Sequence, residues 1–344
     1  MVIRCRYCEK EAVVRVPYAK LRLCAEHFME FVESRVRDTI ERYRMIGRGD
    51  TVVIALSGGK DSSALAQILS RLSSSIGFKL LGLHIDLGIG DFSKRSRVAV
   101  ENLCKKLGIE CVVVDLEKDL GFTLPEFASR LRTHRVCSLC GIVKRYIMNA
   151  AAIELGVGLV ATAHHADDMV KYIVKNFILQ DYDALKKLRP VNRGVPGVVA
   201  TRIKPMFEVY EKEAELYTSY AGLDYIAAEC PYKGRTPMES AIEVFIDELE
   251  HGIPSIKISL LRKFASAQGV EPQEQRDIGR CRLCGLASRV DECAFCRLTQ
   301  KAFGSPLGTR AREVIRSKIG EISNDRGCLG PKTATDIIFR NADT

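Results

Sequence analysis

Two glycines, a lysine, an aspartate and three hydroxyls stand together in Ser57-Gly58-Gly59-Lys60-Asp61-Ser62-Ser63. The run before them, Thr51 to Leu56, is β-branched and continuously apolar, which reads as a buried parallel strand. The run after them, Ala64 to Leu69, is apolar with helical spacing. Glycines let a backbone approach a ligand closely, and the unpaired amides of a helix start attract phosphate. The stretch is therefore a nucleotide site. It is not a Walker loop, because the spacing of four residues between Gly and Gly-Lys-Ser/Thr is absent.

Thirteen cysteines carry the second chemistry. In a chain with no signal peptide at Met1-Val2-Ile3-Arg4-Cys5, which reads as cytoplasmic, many cysteines favour metal ligation or catalysis over disulfides. Cys281-x2-Cys284-x8-Cys293-x2-Cys296 places two doublets in sixteen positions, the pattern of a four-thiolate zinc site. Cys5-x2-Cys8, a fifteen-residue spacer and Cys24-x2-His27 read as a second closed site, of three cysteines and one histidine. Four protein ligands leave no open position, so both zinc ions are structural. The third doublet, Cys137 and Cys140, has no second doublet nearby. It stands among Arg130, Arg132, His134, Arg135, Lys144 and Arg145, a basic setting expected to lower its thiol pKa values. Cys230, in Glu229-Cys230-Pro231-Tyr232, is a distant third thiol. Three cysteines suit a four-iron cluster with one iron left open; a redox dithiol or a zinc site are the alternatives. Cys328 reads as a bystander.

The elements that must position these groups follow from pattern. Strands are expected at Ala12 to Val16, Thr51 to Leu56, Lys79 to Ile85, Cys111 to Val114 and Leu159 to Ala163. Helices are expected at Phe28 to Met45, Lys94 to Leu107, Cys140 to Leu155, from about Asp167, at Glu211 to Ala221 and at Met238 to Leu249. Alternation of strand and helix from about residue 50 to 250 implies an α/β fold, a parallel sheet with helices on both faces and its ligand at the carboxyl ends of the strands. The expected organisation is a zinc module over residues 1–28, a catalytic domain with a helical linker over 29–250, a region with the second zinc module over 251–300, and an unassigned tail over 301–344. Of the linker arginines (Arg35, Arg37, Arg42, Arg44, Arg48), most are expected on a solvated helix face, with RNA as the partner of any that are not. The net charge of +9 suits a polyanion. With no Trp and 7% aromatics, a stacking platform for single strands is not expected. No apolar run is expected to span a membrane.

The loop Ser57–Ser63, the block Leu83-His84-Ile85-Asp86-Leu87-Gly88-Ile89, Cys137 to Asn149, His164 with Asp167-Asp168, Glu229 to Tyr232 and both terminal doublet sets together form a pattern. It resembles the TtuA-type tRNA 2-thiouridine synthetases, within the TtcA/TtuA group of the PP-loop ATPase superfamily. The resemblance covers about residues 1–300. It implies an adenine nucleotide alpha hydrolase-like sheet flanked by the zinc modules. It also implies ATP with Mg²⁺ at Ser57, Gly58, Gly59, Lys60, Asp61, Ser62 and Ser63, with His84, Ile85 and Asp86 lining the adenosine pocket and Ala163 and His164 beside it. Cys137, Cys140 and Cys230 would hold a [4Fe-4S] cluster, and Lys144 and Asp168 match the family's catalytic pair. Where the family usually reads Gly-His-Asn, this chain reads Ala163-His164-His165.

The implied reaction is adenylation of uridine O2 followed by sulfur transfer, at the T-loop uridine (position 54) of tRNA. The alternatives are the anticodon wobble uridine (position 34), a related synthetase with another acceptor, or a non-catalytic zinc-ribbon RNA-binding protein. The family's sulfur donors are ubiquitin-like thiocarboxylate carriers or sulfide, and its members are commonly dimers.

Overall fold

The structure is a computed structural model and describes all residues except 1–2, 134, 235, 268–277 and 325–344. His134 and Cys328 therefore lie outside the described residues. The chain begins with a hairpin, β1 (Val14–Val16) and β2 (Leu21–Leu23), followed by α1 (Ala25–Arg42). Alternating elements come next: β3 (Thr51–Leu56), α2 (Lys60–Ile76), β4 (Lys79–Asp86), α3 (Gly90–Leu107) and β5 (Cys111–Asp115). Two short helices, α4 (Leu116–Leu120) and α5 (Leu124–Arg130), lead to the long α6 (Val136–Glu154), then β6 (Leu159–Ala161) and α7 (Ala166–Ile178). After α8 (Tyr182–Leu185) come the short strands β7 (Val191–Asn192) and β8 (Thr201–Ile203), then α9 (Glu211–Tyr220), α10 (Pro237–Gly252) and α11 (Ile256–Ala267). The C-terminal region adds α12 (Ala294–Phe303) and α13 (Gly308–Asn324).

The main sheet has the order β5-β4-β3-β6-β8-β7, parallel throughout except for the antiparallel edge pair β7–β8. The chain leaves β3 toward β4 and β5, then returns to the other side through β6 and β8. The switch point thus lies between β3 and β6, where an open α/β sheet leaves a crevice for ligands. Core residues of β3 such as Val52, Val53 and Ile54 are fully buried, as a central parallel strand requires.

Several elements differ from the sequence expectations. β2, β7, β8, α4, α5, α8, α11, α12 and α13 were not expected, and the boundaries placed at 28, 250 and 300 fall within α1, α10 and α12. α6 is long and apolar enough to cross a bilayer, contrary to the expectation that no run is. Its apolar faces are buried instead, with Leu139, Val143, Ile147 and Ala150 to Ala152 inside the core it shares with the sheet and the C-terminal module.

The linker arginines also divide. Arg35 reaches the buried Glu213, the Tyr18 hydroxyl and the Glu208 carbonyl, so α1 is bolted to the catalytic domain. Arg42 donates to Glu208 at 2.7 Å, and Arg262 from α11 donates to the same carboxylate at 2.6 Å, with Tyr43 at 3.0 Å. Arg37, Arg44 and Arg48 remain exposed. Burial acts to raise the Glu208 pKa, but the hydrogen bonds and charges of Arg262 and Arg42 override it and hold the carboxyl below the ordinary 4.5. A carboxylate with a depressed folded-state pKa contributes stability above its unfolded value that is lost as pH falls through the folded one. Glu208→Gln should therefore cost about 1–3 kcal/mol at neutral pH, the two arginines being partly solvated. The deficit should shrink below about pH 4.5. Denaturant titrations at both pH values check this; an equal deficit at both would show that charge is not its source.

Candidate active site and metal centres

At the carboxyl end of β3 the chain turns through Gly58, whose φ of 82° and whose approach to Ser96 both require glycine. A Cβ there would lie 2.8 Å from the Ser96 carbonyl oxygen. Gly59 is the N-cap of α2 and no side chain caps the helix, which leaves its first amides open to an anion. Ser62 and Ser63 are buried and donate to the Gly59 carbonyl at 3.0 and 3.2 Å, so their hydroxyls brace the loop from beneath. Ser57 is exposed, and Lys60 lies between Asp61 (2.8 Å) and Glu211 (2.9 Å).

His84 pairs with Leu56 across β3 and β4 and is buried, its Nδ1 donating to the Leu56 carbonyl at 2.9 Å. Its Nε2 is buried with no hydrogen-bond partner. Burial lowers the imidazole pKa, with Leu56 and Asp86 opposing and Lys144 and Arg97 adding to the drop. Ile85 is half-buried, and buried Asp86 accepts from the Gly88 amide at 3.0 Å.

The first turn of α6 carries Cys137 and Cys140, and Lys144 lies one turn on. Cys230 reaches them on a segment fixed at both ends: Ile226 donates to the Gly58 carbonyl at 2.9 Å, and Cys137 donates to the Tyr232 carbonyl at 2.9 Å. The basic setting does not lower the Cys140 thiol. Burial pushes it up, outweighing Lys144 and Arg145, and Cys230 and Cys137 push the same way. Among the described residues no carboxylate lies within ion-pair distance of Lys144.

His165 caps α7, its Nδ1 accepting from the Asp168 amide at 3.4 Å, the office an Asn performs at a helix start. The altered triplet therefore keeps the turn, and Ala163 does not take a positive φ. Asp167 is held by Lys257 at 2.6 Å and by the Glu211 amide at 2.6 Å. Asp168 is held more loosely, 3.5 Å from His165 Nε2 and 3.7 Å from Lys171 Nζ. His164 opens into the same cleft with Nδ1 2.9 Å from Thr162 Oγ1.

Two quartets have the geometry of closed metal sites. The donor atoms of Cys5, Cys8, Cys24 and His27 lie within 4.8 Å of one another, and so do those of Cys281, Cys284, Cys293 and Cys296. The Cys8–Cys24 and Cys284–Cys293 sulfur pairs are 3.8 Å apart. A zinc–sulfur bond of about 2.3 Å implies a tetrahedral edge of roughly that length, so both donor sets fit Zn²⁺. Cys137, Cys140 and Cys230 do not form such a compact donor set among the described residues. That suits a cluster whose thiolates bind different irons rather than one shared ion.

Comparison with known proteins bears on both modules. The PP-loop domain family matches residues 29–233, and the N-terminal LIM domain of 2-thiouridine synthetase TtuA matches residues 4–29. The chain belongs to the PP-loop family, in its TtuA-type 2-thiouridine synthetase branch. It is 36% identical over 298 residues to a Thermus thermophilus protein named tRNA-5-methyluridine(54) 2-sulfurtransferase, covering 86% of this chain and 90% of that one. A Pyrococcus horikoshii protein of the same name is 34% identical over 86% of this chain and 93% of its own. Among solved structures the fold is similar to the U34-tRNA thiolase NcsA from Methanococcus maripaludis with its [4Fe-4S] cluster. That match has a TM-score of 0.72 and 26% identity, over 88% of this chain and 96% of that one.

This TtuA-type chain also shows what sequence reading missed. The C-terminal four-cysteine module grips α6: Tyr146 stacks on Phe295 at 4.1 Å and 13°, and its hydroxyl donates to the Gly308 carbonyl at 2.9 Å. A Cβ at Gly308 would lie 2.8 Å from both Cys284 Cβ and Tyr146 Oη. Gly308→Ala should therefore destabilise by about 1–3 kcal/mol through overpacking. Metal analysis of the native protein should find about two zinc per chain, and the Gly308→Ala protein should release one of them to a chelator sooner. Equal release from both proteins would separate Gly308 from the metal site.

Proposed function

We propose that this protein is an ATP-dependent tRNA 2-thiouridine synthetase acting on the T-loop uridine at position 54. The observation that carries the reading is the meeting of a phosphate-binding loop and a three-cysteine site across one switch point, in a chain 34–36% identical to proteins named for that activity. A carbonyl oxygen is a very poor leaving group, so O2 first attacks the α-phosphorus of ATP and pyrophosphate departs. Sulfur then adds at C2 and AMP departs with the former O2. ATP comes with Mg²⁺, which together with the open amides at the start of α2 neutralises charge growing on pyrophosphate. His84, Ile85 and Asp86 lie at the carboxyl end of β4, beside that loop, where adenosine would rest.

A [4Fe-4S] cluster on Cys137, Cys140 and Cys230 would supply one iron free of protein ligands to hold the sulfur. Lys144, with no carboxylate partner among the described residues, stabilises negative charge near the reacting carbon. Asp168 orients the base or takes its proton, since its neighbours hold it loosely. The sulfur is delivered by a ubiquitin-like thiocarboxylate carrier or as sulfide, the working unit is a homodimer, and the reaction belongs to the cytoplasm. The quartets at either end are structural zinc, and the zinc modules flank a catalytic domain within about 29–250.

Nucleoside mapping of tRNA from cells with and without the protein tests the target. Loss of 2-thiouridine from the T-loop is expected; loss confined to the wobble position would move the target to position 34 and keep the chemistry. In vitro, Lys144→Ala should bind ATP and tRNA yet form no product, and Ala at any of Cys137, Cys140 or Cys230 should abolish transfer while sparing ATP binding. Full transfer by the triple cysteine variant would remove the triad from the mechanism.

A further inference from the structure

On the side of the switch point away from β4, three cations gather with no carboxylate paired to them among the described residues. Arg202 lies on β8 and Lys204 just beyond its end, two residues apart and therefore on one face. Arg145 comes from α6, five residues after Cys140, and its guanidinium lies across Gly141, where a Cβ would meet Nη1 at 2.8 Å. Arg145 and Arg202 line a cavity of about 340 Å³ with Tyr146 and Asn149 among its walls. Lys204 is only 6% exposed, and its hydrogen bond goes to the Arg189 carbonyl.

Among the described residues no carboxylate pairs with any of the three. Burial lowers the pKa of Arg202, with Arg145 adding; burial lowers Lys204 to about 7, with Arg202 adding. Neither feels an acid. Buried cations elsewhere in the molecule are paired, Lys257 with Asp167 and Asp247, Arg35 with Glu213. Of the three, Lys204 is buried, Arg202 half-buried and Arg145 exposed. An uncompensated charge at the buried end is costly, and an anion reached from the exposed end is what relieves it.

The sheet order says which anion. β8 is two strands from β3, roughly 10 Å away, with β6 between them. The phosphate loop and β4 occupy the opposite half. We infer that Arg145, Arg202 and Lys204 grip a phosphodiester of the RNA strand next to the uridine being thiolated. The assignment rests on the proposed function and gives it a named acceptor contact. Base flipping needs such an anchor, because the displaced nucleotide's backbone must be held while its base leaves the stack.

The probe is a T-arm stem-loop RNA carrying a single uncharged methylphosphonate at each phosphate flanking the target in turn. Wild-type protein should lose about tenfold in affinity at one position. Arg202→Gln should lose about as much on unmodified RNA, lose nothing further at that position, and lower the salt slope by about one. Its ATP affinity should be unchanged. Arg202→Lys should keep the salt slope. Additive losses at every position would overturn the assignment. So would a loss of ATP binding with RNA binding intact, which would give the cations to nucleotide phosphates. A wild-type protein that binds the stem-loop at no salt concentration would remove the thiolation reading itself, and this contact with it.

Discussion

Everything at the site depends on how α6 is held. The helix carries two of the three thiols proposed to hold the cluster, Lys144 and Arg145 within its first three turns, so a small rotation would displace all of them together. It is fixed from every side. Asn149 donates to the Val198 carbonyl and accepts from the Ala200 amide, which ties α6 to the chain entering β8. Glu154 takes Arg312 and Arg316 from α13. Tyr146 lies between Phe295 and Gly308, against the C-terminal cysteine quartet. A structural metal contributes folding energy where its ligands are. Zinc on the C-terminal quartet, as proposed, would deliver that energy to α6, far earlier in the chain.

Environment also separates adjacent residues of the same type. Asp167 and Asp168 both lie in the first turn of α7, yet Lys257 and the Glu211 amide consume Asp167 while Asp168 keeps only contacts of 3.5 Å or more. Asp167 secures α11 and the start of α9; Asp168 is left for a ligand. The same contrast divides the cations. Lys60, Lys257, Arg35 and Arg42 hold elements together through carboxylates, whereas Lys144, Arg145, Arg202 and Lys204 have none among the described residues.

Much of this was legible in the sequence because it is local. The loop Ser57–Ser63 with its flanking strand and helix, the two quartets and the Cys137–Lys144 spacing each sit within a short window, and the structure places them as spacing implies. β7 and β8 were not legible, since strands of two and three residues are too short to show a period of two. α13 did leave a signal, Leu307, Ala311, Ile315 and Ile319 every four residues, inside a stretch otherwise dominated by charge. The expected fall in thiol pKa failed for a different reason. Sequence shows the basic neighbours of Cys140 but not its burial, and burial is the larger influence. The Arg145–Arg202–Lys204 group could not be read at all, because its members come from separate segments that only the sheet order unites.

The segment carrying Cys230 shows how two half-reactions are kept within reach. In the proposed reaction, adenylation uses the phosphate loop and sulfur transfer the triad, and no single element contains both. The backbone of Ile226 is bonded to Gly58 in the loop, and Tyr232 is bonded to Cys137 on α6. Four residues separate Ile226 from Cys230, and an extended chain of that length spans at most about 14 Å. The Cα of Cys230 therefore cannot lie farther than that from the Cα of Ile226, the residue tethered to the loop. In the proposed reaction a uridine adenylated at one end of this tether would meet sulfur at the other without leaving the cleft, the positional advantage a two-step transfer requires.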